Sequence, residues 1–486
     1  MVNGSQAGLL SGGEHMWWGS GEGGGPGFSA HRWPVLLAGV SAAAGLAIFA
    51  VFSVSKYTLL AVLGIPLVML SVLSFEATLA LFVGLLFSLQ DVTVTKIAVP
   101  FVAVLACSFL ITHQRVRLRD FDTPVARPLL FYVLTMMPSL VHTPDPGLTL
   151  LFLQNIGAFL LLVLLLGASP RSAKEVGTAV GLFVALGLAN AVDVLVSSAT
   201  VGKRVFGFAG IVFVDFAVII ALVLVNYAVF ARGRLRFWSL PAAILTVVAL
   251  FLTQTRNVLI GLAVAGVIYG IYLYVNSRAL GLRRSHLVFI GLSVLVAAGG
   301  IAVGTLAVFP QAFGRIADLA ASGSTTITTE ADFALNSVVS RLLIWTTAWN
   351  GFLAHPIVGI GAFSFPFASV EYNMLPPVLL KNFVLGASPH VTYLAVLVET
   401  GIVGFIGFLI FLGTAIRTGH RLILRSADAK DRLVTTTLFV IQVYIAVSMT
   451  YTDAWLWGQC GMLWGLLVGL SAGTWTRVAL PSGERP

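Results

Sequence analysis

Ser340-Arg-Leu-Leu-Ile-Trp-Thr-Thr-Ala-Trp349, His355-Pro-Ile-Val-Gly-Ile-Gly361, Pro389-His-Val-Thr-Tyr393 and Glu399-Thr-Gly-Ile-Val-Gly404 follow one another in a single stretch of the chain. The stretch is the second half of the only long polar interruption in a sequence otherwise built of apolar segments, and it ends where an apolar segment resumes. Over the whole chain 58% of the 486 residues are hydrophobic and only 10% are charged, with a mean hydropathy of +0.98. So much apolar surface cannot be buried in a water-soluble core, so the solvent of this chain is largely lipid and the fold is an all-α polytopic membrane bundle. Cys107 and Cys460 both lie in apolar stretches and read as small buried hydrophobes, not as a disulfide.

Residues 1–34 are Gly-rich and lack the basic and apolar regions of a cleavable signal, so they read as a disordered cytoplasmic tail. A span needs ~17 to 25 mostly apolar residues, somewhat fewer where interfacial residues extend the helix. By that rule spans are expected at roughly 35–54, 58–74, 77–90, 96–112, 128–143, 148–168, 175–198, 207–230, 238–254, 256–276 and 286–309. Three more follow the polar stretch, at roughly 391–416, 433–450 and 456–476, making about fourteen in all. The third and fifth are short enough to be half-helices. The domain plan is therefore the tail, eleven spans over 35–309, an outer loop over 310–390, three spans over 391–476 and a tail over 477–486.

Lys and Arg in the connections set the orientation. Clusters around Arg115–Arg127, Arg171–Lys174, Arg232–Arg236, Arg278–Arg284 and Arg417–Arg432, with Arg32 and the tail, place 20 of the 28 basic residues on one side. That side is cytoplasmic and holds both termini. Most of the net charge of +9 is thus topology and calls for no ligand, nucleic acid included. The exceptions include Arg204, Arg256, Arg341 and Lys381, which fall on the outer side against the bias. Arg256, where two spans meet with almost no loop, reads either as an anchor snorkelling to headgroups or as a clamp for an anion. Asp215 and Glu399 fall early in inward-running spans, in the outer half of the membrane, where a carboxylate is costly enough to mark function or a paired support.

The outer loop is too long for a passive connector. Within it Asn336 or Ser337 can cap a helix that stops before His355-Pro356. Arg341, Trp345, Trp349 and Leu353 recur along that helix every four residues as a basic and aromatic ridge. The ridge suits an interfacial helix, or a lid whose tryptophans stack on sugar. His390 closes the loop, where an imidazole of near-neutral pKa can accept a proton from a hydroxyl. Glu399, nine residues on, is half a turn out of phase with His390 and is expected to pack against a polar group of another helix.

With Arg204 before Phe-Gly-Phe and Thr255-Arg256 opening a span, these motifs resemble, in order and placement, the O-antigen ligase and Wzy polymerase superfamily over roughly 203–404. Two departures stand out: Val391 follows the histidine where the family commonly has Asn, and Val214-Asp215 stand in place of an Asn-Pro-Asn-like element. The resemblance implies a GT-C-like, metal-independent inverting glycosyltransferase of the bacterial inner membrane that needs no cofactor and works at the periplasmic face. It implies an undecaprenyl-diphosphate-linked glycan as donor and a lipid-linked repeat unit or the lipid A core as acceptor, with a chain-length regulator as a candidate partner. Arg256 and Arg341 would hold the diphosphate with Arg204 assisting, and His390 would activate the acceptor hydroxyl. The high span count and the histidine neighbourhood incline the reading to a polymerase of O-antigen or exopolysaccharide over a ligase. A flippase or transporter is the alternative from another class. Against it stands the clustering of ionisable residues toward one face.

Overall fold

The computed structural model describes residues 74–88, 92–113, 117–201, 205–253, 255–285, 287–288, 291 and 337–479, apart from 376, 378–379 and 457. The span expected at 35–54, most of those at 58–74 and 286–309, and the first part of the outer loop lie outside them. Arg204 lies outside as well, and of Arg256 only the backbone is described.

Among the described residues every regular element is a helix. In chain order these are α1 (Phe75–Ser88), α2 (Val92–Thr112), α3 (Ala126–Met136), α4 (Pro146–Ala168), α5 (Ala173–Val201), α6 (Phe213–Phe230) and α7 (Gly233–Leu252). Then come α8 (Arg256–Val275), α9 (Ser337–Ala354), the short α10 (Phe365–Ala368), α11 (Thr392–Arg425), α12 (Ala429–Ser448) and α13 (Gly458–Ala479). Seven of the described helices, α4 to α8, α11 and α12, are long and apolar enough to cross a membrane, so the chain is a multi-pass membrane protein. The expected fifth span is the eleven-residue α3 continued by a 3-10 turn over Met137–His142.

α6 is apolar all round and buried on nearly every side, which makes it the centre of the bundle. It packs on α7, α12 and α5, while α4 pairs with α13 and α11 lies between α3 and α12. α8 exposes Ile260, Val264, Val267 and Ile271 along one outward stripe. Cys460 is buried as expected, but Cys107 is exposed, because its face of α2 turns away from the bundle; both are free. A second, smaller core joins the loop elements to the bundle. In it Ile344 and Ala348 of α9, Ile360, Phe365 and Val384 close on Val398 of α11.

α11 is one element interrupted. At Gly401 the backbone leaves helical geometry (φ 63°, ψ −172°), nine residues and about 14 Å of helical rise into the element. A break in a spanning helix frees backbone groups that lipid cannot satisfy. Here the loop 355–361 supplies the partners. Ile360 N–H donates to Val398 O (3.0 Å) and Gly361 N–H to Glu399 O (3.1 Å), while Ile402 N–H donates to Pro356 O (2.9 Å) and Val403 N–H to Ile357 O (3.3 Å). Two glycines make the approach possible. A Cβ on Gly359 (φ 77°) would lie 2.4 Å from Glu399 O, and one on Gly401 would lie 2.3 Å from Ile357 O.

Candidate functional site

The break explains Glu399 and corrects its expected partner. Its carboxylate is buried and accepts from the backbone N–H groups of Phe363 (3.1 Å) and Phe365 (3.3 Å), not from a polar group on another spanning helix. Those N–H groups belong to the turn opening α10, where orphan donors need an acceptor. His142, at the end of the turn after α3, donates from Nδ1 to Gly359 O at 2.9 Å and fixes the same loop from the other side. His355-Pro-Ile-Val-Gly-Ile-Gly361 and Glu399-Thr-Gly401 are therefore two halves of one joint.

Above the joint, α9 and the start of α11 bring together residues far apart in sequence. Trp345 is half-buried and its indole N–H donates to Pro389 O at 2.9 Å. It therefore acts as a strut for the residue beside it and does not share an open ridge with Trp349, which stays 49% exposed and packs on Phe352. The four-residue spacing aligned the two tryptophans, but the packing of α9 on α11 divides them.

His390 follows Pro389 with a left-handed backbone (φ 54°), which costs a non-glycine residue energy and is held by its surroundings. Its backbone N–H donates to Asp453 Oδ2 (3.3 Å), and its Nδ1 lies 4.0 Å from Asp453 Oδ1 and 3.4 Å from Ser388 Oγ. Just beyond, Thr392 donates its N–H to Met449 O (2.9 Å) and Thr452 O (3.0 Å) and its hydroxyl to Thr452 O (2.6 Å). The connection from α12 to α13, which carries Asp453, is thus tied to the residues around His390. With Nδ1 turned toward Asp453 and Ser388, the tautomer assigned from these partners leaves Nε2 unprotonated, and among the described residues it makes no hydrogen bond. Burial lowers the imidazole pKa below its usual value, Asp453 opposes that, and Arg341 adds to it.

Arg341 projects from the first turns of α9 and is held by Asn257 at the start of α8. With the amide oriented by its partners, the Asn257 oxygen accepts from Nη1 at 2.7 Å and Nη2 at 2.6 Å. Burial lowers the guanidinium pKa and Asp453 raises it, and the group stays charged. Arg256, which also opens α8, brings its backbone to the same end of the bundle.

Asp215 lies in the first turn of α6, buried, and accepts from Tyr444 Oη at 2.7 Å, which in turn accepts from Tyr451 Oη at 3.1 Å. It supports the segment that carries Asp453 and does not enter the cluster itself. Asp453 and Asn257 are the two members that reading the sequence did not single out. Asp453 is the one acidic residue between α12 and α13, a signal that was available. Asn257, uncharged and next to a more conspicuous arginine, gave none. Among the described residues no group of three His, Cys, Asp or Glu side chains could hold a metal ion.

The helical membrane bundle thus brings a half-buried arginine and a histidine beside a carboxylate together at one end, an arrangement suited to an anionic ligand. Residues 241–409 match the family model described as O-antigen ligase, a segment that runs from α7 through Asn257, Arg341 and His390 into α11. The motifs and this match agree, and together they support glycan transfer of the O-antigen ligase or polymerase type. No curated protein matches the chain.

Proposed function

We propose that the protein transfers a glycan from an undecaprenyl-diphosphate-linked donor to a sugar hydroxyl at the periplasmic face of the bacterial inner membrane, polymerising O-antigen or exopolysaccharide repeat units. The observation that carries this reading is the convergence of Arg341 and His390, 49 positions apart, on one end of the bundle, with Asp453 beside the imidazole. His390 Nε2 takes the proton of the acceptor hydroxyl as that oxygen attacks the anomeric carbon from the face opposite the diphosphate. The new glycosidic bond forms, the bond to the diphosphate breaks, and the configuration inverts.

Charge gathers on the departing diphosphate oxygen. Arg341, with Arg256 and Arg204 as further candidates, stabilises it more in the transition state than in the ground state, by about 3 kcal/mol for a donor of this kind. The exchange requires no metal. Asp453 accepts from the backbone N–H of His390, which fixes that residue, and its charge favours the imidazolium that forms, as a carboxylate does for a catalytic histidine elsewhere. Trp349, exposed on α9, is available to stack on a saccharide. The second reading, a ligase that delivers the glycan to the lipid A core, is favoured by the description of the family model itself.

The test is a deletion strain complemented with wild type, Arg341→Ala or His390→Ala, with surface glycans resolved by size and lipid A-attached material separated from free. Single repeat units on lipid A in the deletion identify a polymerase, and long lipid-linked chains left unattached identify a ligase. Glycans unchanged in a strain with no second copy overturn both.

A further inference from the structure

The partner of Arg341 is unusual in kind. A forked guanidinium most often meets a carboxylate, which offers the same two bonds and an opposite charge. Here the fork meets the oxygen of a neutral amide, at 2.7 and 2.6 Å from the two Nη atoms. Among the described residues Arg341 makes no ion pair, and Asp453 acts on it without contact.

We infer that Asn257 is a positioning residue that fixes the Arg341 guanidinium without neutralising it, so that the site recognises a diphosphate group through an oriented, undiminished positive charge. The inference rests on the reading above, in which Arg341 meets the diphosphate of the donor. A guanidinium carries five N–H donors. Asn257 takes one from each Nη at the end of the group, leaving the Nε–H and one N–H on each Nη. The lateral pair, Nε–H with its neighbouring Nη–H, is the parallel fork that fits two oxygens of a phosphoryl group. An aspartate at 257 would make the same two bonds and hold the same geometry. It would also set a negative charge against the arriving anion, in a place where Asp453 already contributes one.

This predicts an order of effects that a purely structural residue would not give. The experiment is equilibrium binding of inorganic diphosphate to the full-length protein in nanodiscs, with thermal unfolding of the same samples. Asn257→Asp should weaken binding by at least about tenfold, and by more than Asn257→Ala, although its melting temperature equals or exceeds that of wild type. Asn257→Ser, which keeps an acceptor and adds no charge, should stay within about threefold of wild type. Asn257→Asp binding as wild type does, or Asn257→Ala or Asn257→Ser binding no better than Asn257→Asp, overturns the inference. Arg341→Ala separates the two claims. If it loses binding while Asn257→Asp does not, only the role of Asn257 falls. If it binds as wild type does, or if wild type binds no diphosphate, the reading of Arg341 falls with it.

Discussion

The arginines at the two ends of the bundle are used in opposite ways. At the far end, where α11 stops at Arg425, Arg432 donates from Nη1 to Leu280 O (3.1 Å) and from Nη2 to Ser426 O (3.2 Å). Arg477 pairs with Asp431, Arg425 lies 4.2 Å over the Trp475 ring, and the buried Arg171 lies 4.5 Å over Phe75. Each of these charges is spent on a helix-end carbonyl, a carboxylate or an aromatic face, the ordinary uses of a cation at a membrane boundary. At the end that holds His390, Arg341 is equally well held, but by a neutral amide that leaves its charge available. A count of arginines cannot tell the two ends apart, whereas the charge of each arginine's partner can.

The sharpest break of that contrast is the loss of the imidazole. His390→Ala should cut transfer by ~10²- to 10⁴-fold while leaving binding of the lipid-linked donor intact, read as turnover beside donor binding in the same membranes. Arg341→Ala comes next, with an expected loss of ~10²- to 10³-fold and, unlike the histidine variant, weakened donor binding. Asp453→Asn should lower turnover by roughly tenfold. Its further signature is in the pH profile. Burial already lowers the His390 pKa, Asp453 raises it and Arg341 lowers it. The neutral imidazole is the active form, so activity falls as pH drops through that pKa. Removing the Asp453 charge lowers the pKa and must move the acid limb of kcat/KM to lower pH, whereas Arg341→Ala must move it to higher pH. Limbs that stay in place in both variants would falsify the assignment of His390 as the titrating base. The smallest effect belongs to the far end. Arg477→Ala should cost about 1–3 kcal/mol of stability, seen as a lower melting temperature, with turnover per folded molecule unchanged.

The sequence made the helical bundle legible because long apolar segments have few other solutions. Arg341 drew notice as an arginine against the positive-inside bias and His390 as an imidazole closing the long loop, and the structure brings the two to one end of the bundle. Asp453 and Asn257 were harder because their importance lies in contacts across more than 60 and 80 positions, which no local spacing records. Trp345 was misread for the same cause. The i, i+4 rule gives the face of a helix but not its neighbour, and the neighbour is Pro389. Glu399 looked like a costly buried charge on a continuous helix because Thr400-Gly401 within an apolar run gives no sign that the helix stops there. Its role became visible only when the loop 355–361 was seen to fill the gap.

That joint bears on how the chain can be recombined. Val398 O, Glu399 O, Ile402 N–H and Val403 N–H pair with Pro356 to Gly361, and each left bare in hydrocarbon would cost several kcal/mol. A chimera that takes its loop from one parent and this helix from another inherits a mismatch in main-chain geometry, whatever its side chains. The segment from about His355 to Gly404 is therefore the smallest piece that can be exchanged between related chains, and crossovers inside it should be missing from any library selected for folded protein.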